Sequence, residues 1–265
     1  MTDSDIADFP RGRSTNEATT GPISFAIDSR RVLIIVFVAC VSAEILFFIL
    51  DLIINHQRGS EIRAIRRIFN TAREGSLPSW FGVIQTFVLG VIALVNVALV
   101  SKIDSSTRRQ LGWLLLAVAF IYMSADDDAK IHERLGTASE SFDFLSGALR
   151  AYPSYAWQIV VGPIFIAFGL FILYFLWDEL MRPMERYAVV AALGVLAFAV
   201  FLDYLEGLDD GYILLLENTD WSKRAVEHFS KSIEEVIEMF GMTIFLIVFL
   251  GHSMRLGSSV SVHFD

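Results

Sequence analysis

The sequence predicts an all-α fold: a polytopic membrane helix bundle of about six transmembrane helices. Three observations carry this. The 265 residues are 54% hydrophobic with 22 Phe, and mean hydropathy is +0.54, too apolar for an ordinary soluble domain. The apolar residues come in long runs, and six of these approach the ~20 helical residues that cross a bilayer. The acids gather beside those runs instead of spreading evenly. The formal charge of −9 leaves no basic footprint for nucleic acid. The one cysteine, Cys40, excludes an intrachain disulfide and any cysteine-based zinc site, and is expected to pack as a small apolar residue.

Residues 1–29 are rich in Ser, Thr and Asp and are expected to be disordered or surface-lying. Residues 30–255 form the membrane domain and 256–265 a short tail. Arg30-Arg31 anchors the first span, Val32–Ile54. A signal peptide cut near Val41-Ser42-Ala43 is the rival reading, but the leader is long and the apolar run resumes, so an uncleaved helix is expected. Glu44 lies about 20 Å past Arg31 by helical rise, well inside the bilayer. It is either a proton-carrying group or a neutral, hydrogen-bonded acid.

Loop 56–79 carries Arg58, Arg63, Arg66, Arg67 and Arg73, with Ile62, Ile65, Ile68 and Phe69 at helical spacing, and reads as a short amphipathic helix on the membrane surface. The second span starts at Leu77-Pro78, with Trp80 at the interface, runs to about Val100 and contains Gln85 and Asn96. The fourth, Trp157–Trp177, is bracketed by tryptophans and free of charge. The loop Gly136–Tyr155 has no clear element.

Three other runs are too short to span alone: Leu111–Ala125, Tyr187–Leu202 and Met239–Leu250. Reaching ~20 residues takes the third helix to about Lys130, the fifth past Glu206 and the sixth back to Glu234. Their other ends carry Arg109, Arg186 and Arg255. With alternating spans, all three acidic ends face one side, together with Asp51.

The helical faces agree. Asp128 and His132 are i,i+4 in the third helix, and Asp126 and Glu133 are two turns apart. In the fifth, Asp203, Glu206 and Asp210 share a stripe. In the last, His228, Lys231, Glu235, Glu238 and Met242 form a seam, with Glu234 beside it. Carboxylates at the bilayer are costly and need a partner or a cavity. Protons, Lys130, Lys231 and arginines, or a bound cation must compensate them.

The metal reading makes Asp126, Asp127, Asp128, His132, Glu133, Asp203, Glu206, His228, Glu234, Glu235 and Glu238 candidate ligands for a divalent ion. Carboxylates with imidazole suit zinc, iron or manganese, and a mostly oxygen site suits calcium. The bland reading makes the same acids solvated helix ends and internal ion pairs such as Glu227–Lys231 and Asp126–Lys130. His228 by itself reads as a surface residue, and His252 as an interfacial residue at the opposite end. No G-x-S-x-G, H-E-x-x-H or phosphate-binding glycine loop is present.

At Ser124-x-Asp126-x5-His132-Glu133, Glu234-Glu235-x-x-Glu238-x-x-Gly241 and Leu77-Pro78-x-Trp80-Phe81, the chain resembles a family of uncharacterised bacterial multi-pass membrane proteins over residues 30–255. The resemblance implies an inner-membrane location and no activity. It favours Asp126, His132, Glu133, Glu234, Glu235 and Glu238, ranks Asp128 lower, and keeps Asp127 as an acidic neighbour.

Loops two and four are short and basic, which favours a cytoplasmic N-terminus and an acidic cluster facing the periplasm or exterior. Three functions follow as expectations. The first is a divalent-metal protein acting on a lipid or small molecule through metal-activated water. The second is a proton-coupled or cation transporter using Glu44 and the acidic cluster as a relay. The third is a non-catalytic subunit bound to a membrane-protein partner, or a homo-oligomer.

Overall fold

The computed structural model describes residues 28–57, 59–131, 134–135, 161–206, 212 and 221–258. The polar leader before Asp28, the Gly136–Tyr155 loop and the tail from Ser259 lie outside the described residues, as do His132, Glu133, Asp209 and Asp210. Among the described residues the chain is entirely helical. Its elements are α1 (Ser29–Asp51), a π-helical turn (Leu52–His56), α2 (Arg63–Ile68), α3 (Leu77–Ile103), α4 (Thr107–Ala129), α5 (Gly162–Glu179), α6 (Pro183–Glu206) and α7 (Lys223–Gly257).

Local chemistry sets the ends. The Asp28 carboxylate accepts from the backbone N–H groups of Arg30 (3.1 Å) and Arg31 (3.3 Å), which caps α1. Ser76 accepts from Ser79 N at 3.2 Å, and Pro78 occupies the first turn of α3. Ser222 caps α7 through Ala225 N at 3.3 Å. The α4 helix stops at Lys130, which turns left-handed at φ 51°, ψ 45°. It therefore includes all three aspartates, as the short apolar run required. Helix α1 does not continue straight to Ile54. It widens into the π turn after Asp51, whose Oδ1 accepts from Asn55 Nδ2 at 2.8 Å across that turn.

Four elements are long and apolar enough to cross a membrane: Ser29–His56, Leu77–Ile103, Gly162–Glu179 and Pro183–Glu206. The chain is a helical membrane protein on this evidence. Helices α1 and α5 expose large apolar side chains along their length, including Ile34, Ile35, Val38, Leu46, Ile164, Ile166 and Leu170. Such surfaces suit lipid tails.

Helix α7 lies inside the bundle, packed on α6, α3 and α1, while α4 packs on α3 and α5 bridges α4 and α6. The core is aromatic. Trp113 meets Phe249 edge-on at 5.0 Å between ring centroids, and Phe120 meets Phe249 at 5.7 Å and Phe245 at 5.8 Å. In lipid the apolar effect does not press helices together, so close packing at small residues matters more. Gly90 is the tightest example on α3: a Cβ there would stand 2.7 Å from Ile121 Cγ1, 3.1 Å from Ile121 N and 3.2 Å from Ala117 O. Two of those atoms are backbone and cannot rotate away.

Gly90→Ala should therefore force α3 and α4 apart, at about 1–3 kcal/mol for an overpacked contact. Gly194→Ala places a Cβ with nothing within 4 Å and should leave stability unchanged or slightly raised. Thermal unfolding of both variants in detergent checks this; equal melting temperatures for the two would refute the contact.

Candidate functional site

Polar side chains on the inner face of α7 meet partners at three levels: the acidic end, the middle and the opposite end. At the acidic end, Lys231 is the organising group. Its Nζ lies 2.6 Å from Glu234 Oε1, 3.7 Å from Asp203 Oδ1 on α6 and 3.8 Å from Glu235 Oε1. Glu234, at 3% exposed, is the least exposed acid of α7, while Glu235 and Glu238 are half-buried. The seam read through Glu235 and Glu238 is thus rotated towards Glu234 and Ser232. Glu206 is half-buried at the end of α6, and its Oε2 has no hydrogen-bond partner among the described residues.

Asp51 forms a second knot at the same end. Its Oδ2 accepts from Ser232 Oγ at 2.6 Å and lies 3.1 Å from His228 Nε2, while Oδ1 takes Asn55. His228 is accordingly a half-buried partner of α1 and not a surface residue, because the buried Asp51 carboxylate needs donors. On α4, Asp126 is buried and Asp127 and Asp128 are exposed. Asp127 Oδ2 lies 3.9 Å from where a Cβ on Gly82 would stand, a point 3.6 Å from Met239 Cγ of α7. Asp127 thus borders the turn of α3 on which Met239 of α7 packs. Lys130 pairs with Glu74.

The acids of α1, α4, α6 and α7 do therefore lie at one end of the bundle. Among the described residues, however, no group of three or more His, Cys, Asp or Glu is arranged to hold a metal ion. A lysine ammonium stands between the carboxylates of α6 and α7. His132 and Glu133, two of the favoured ligands, lie outside the described residues.

The middle level holds Glu44, which is 2% exposed. Its Oε1 accepts from Thr243 Oγ1 of α7 at 2.5 Å and from Gln85 Nε2 of α3 at 3.2 Å. Gln85 Nε2 also donates to Thr243 Oγ1 at 2.5 Å. Three helices thus share one triangle of polar atoms, and Gln85 Oε1 has no partner among the described residues. Further along α3, the fully buried Asn96 accepts from Ser253 Oγ at 2.6 Å.

At the opposite end, the expectation of an interfacial His252 is corrected. His252 is 4% exposed, stacks on Trp113 at 5.1 Å and 25°, and places Nε2 3.2 Å from Glu179 Oε1. Glu179 draws it in. That carboxylate takes a two-pronged pair from Arg109 (2.7 and 2.6 Å) and a bond from Trp113 Nε1 (3.2 Å). Arg109 also pairs with Asp104 at 3.2 Å, and Arg255 pairs with Glu185 at 2.5 Å.

Sequence reasoning missed Thr243, Ser232 and Glu179. Thr243 and Ser232 are single hydroxyls inside long helices and carry no pattern. Glu179 had a usable signal: an acid just past the fourth span, on the side where α4 begins with Arg108-Arg109.

If Lys231 balances the acids, Lys231→Met should strand Glu234 and cost about 3 kcal/mol, the low end for breaking a buried pair. Adding Glu234→Gln should recover most of that loss. Thermal unfolding of the single and double variants measures it, and a double variant as unstable as the single would remove Lys231 from this role.

No curated protein and no solved structure shows significant similarity to the chain. A family model does match, over residues 32–253, from the first turns of α1 almost to the end of α7. The match takes in all three polar levels, and the expected kinship with a family of no assigned activity holds. The chain belongs to the family described as Domain of unknown function DUF8692.

Proposed function

We propose that this is a six-span membrane protein that transfers protons across the bilayer, with Glu44 as the central proton-carrying group and the acidic end as the outer reservoir. In this reading α4 and α7 span along with the four most apolar helices. The N-terminus is cytoplasmic because the turns around Lys102, Arg108, Arg109, Arg182 and Arg186 are short and basic.

One observation carries the reading: a carboxylate at mid-span whose oxygen is shared by a hydroxyl and an amide from two other helices. An ionisable group at that depth is expensive and marks an ion or proton pathway by default. The surroundings fit a proton better than a fixed salt bridge, because Thr243 and Gln85 bring no charge. Thr243 can both donate to Glu44 and accept from Gln85, so its hydroxyl can reorient as the proton on Glu44 comes and goes. Helical rise puts Thr243 about 18 Å along α7 from Lys231. The acidic end can gather protons or cations from solution, with Lys231 limiting its net negative charge.

Protein in liposomes loaded with a pH-sensitive dye, driven by a potassium diffusion potential, tests this. Wild-type protein should acidify or alkalinise the lumen with the sign of the potential. Glu44→Gln keeps the hydrogen bonds but cannot ionise, and should return the rate to that of protein-free liposomes. An unchanged rate in Glu44→Gln would exclude Glu44 as carrier. One equivalent of bound divalent metal, lost in Glu235→Ala, would replace the proton reading with the metal reading.

A further inference from the structure

Resting on the proton-transfer reading, the geometry points to His252 and Glu179 as a second proton-exchanging station, on the far side of the bundle from the acidic end. Three features make it more than a structural contact. First, both side chains are buried, at 5% and 4% side-chain exposure, in a helical membrane protein whose path otherwise stops at Glu44. Second, His252 Nε2 faces Glu179 Oε1 at 3.2 Å, a contact that becomes an ion pair when the imidazole is protonated. Oε1 is already shared by Arg109 and Trp113. Third, the ion pairs around the imidazole carry one net negative charge, with Arg186 held outside those pairs by the Leu180 carbonyl and the Trp177 ring. Glu179, Arg109 and Asp104 together carry −1, Glu185 and Arg255 cancel, and the more exposed Arg108–Asp178 pair also cancels. A neutral His252 leaves the cluster at −1, and an imidazolium brings it to zero.

The step is a simple proton transfer. A proton delivered on water forms an N–H bond at His252 Nε2 as the O–H bond of the donor breaks. The resulting imidazolium faces Glu179 Oε1. Release to solution on that side reverses the step at the same nitrogen. Trp113 fixes the ring by stacking, so the nitrogen keeps its aim. Arg109 and Asp104 are positioning residues that hold Glu179 in place and do not carry the proton.

Between this station and Glu44, α7 advances about 14 Å from Thr243 to His252. That stretch is lined by Phe245, Leu246 and Phe249, with Phe120 of α4 against them. The two stations are thus separated by an apolar, largely aromatic layer.

The same liposome assay, run beside nitrogen-15 histidine NMR of the wild-type protein, tests the station. His252→Gln should fold, judged by a monodisperse peak and an unchanged melting temperature, and lose flux as fully as Glu44→Gln. In the wild-type protein the His252 ring signal should show both the neutral and the protonated form as the pH is scanned. Flux lost in Glu44→Gln but kept in His252→Gln would overturn the station and leave the proton reading standing. A His252 ring that holds one protonation state throughout the scan would overturn it too, whether or not the variant folds. No flux from wild-type protein would overturn the proton reading and the station together.

Discussion

Everything in this bundle depends on the burial of α7, a helix that carries charge into the interior. A carboxylate removed from water without a partner costs several kcal/mol. Four of the buried acids meet that constraint with four different sets of neighbours. Glu234 has Lys231, Asp51 has Ser232, Asn55 and His228, Glu44 has Thr243 and Gln85, and Glu179 has Arg109. Three of these arrangements include a residue of α7. The others then pack in the places those pairings allow, with α6, α3 and α1 around α7 and α4 and α5 outside.

The three levels differ in kind, and the difference follows from depth. The acidic end uses charge against charge, where water can reach and long side chains can bend. The middle uses neutral donors alone, because a second charge at that depth would add its own burial cost. The far end combines an arginine fork with two aromatic rings, which rigidifies a carboxylate and sets one histidine nitrogen against it.

Much of this was legible in the sequence. The extension of α4 through Asp128, of α6 to Glu206 and of α7 back past Glu234 followed from bilayer thickness alone, since the apolar runs were too short without them. The convergence of their acidic ends followed from alternation. The pairings themselves were not legible. Arg109 and Glu179 are 70 positions apart, and Glu44 and Thr243 are 199 apart. Helical periodicity says which face a residue occupies but not which helix it will meet. The π turn after Asp51 was hidden for a related reason: it answers to Asn55 and Ser232, a local and a distant partner that leave no apolar period.

The order of synthesis gives the Thr243 contact a consequence for assembly. Helices α1 and α3 leave the ribosome well before α7, so Glu44 and Gln85 enter the bilayer with the Thr243 hydroxyl still to come. The same holds for Asp51 without Ser232 and Asn96 without Ser253. Until α7 inserts, the nascent bundle holds half-satisfied polar groups at three depths. Insertion of α7 closes all three at once. The helix that carries the polar groups is therefore also the keystone whose arrival commits the chain to its finished form.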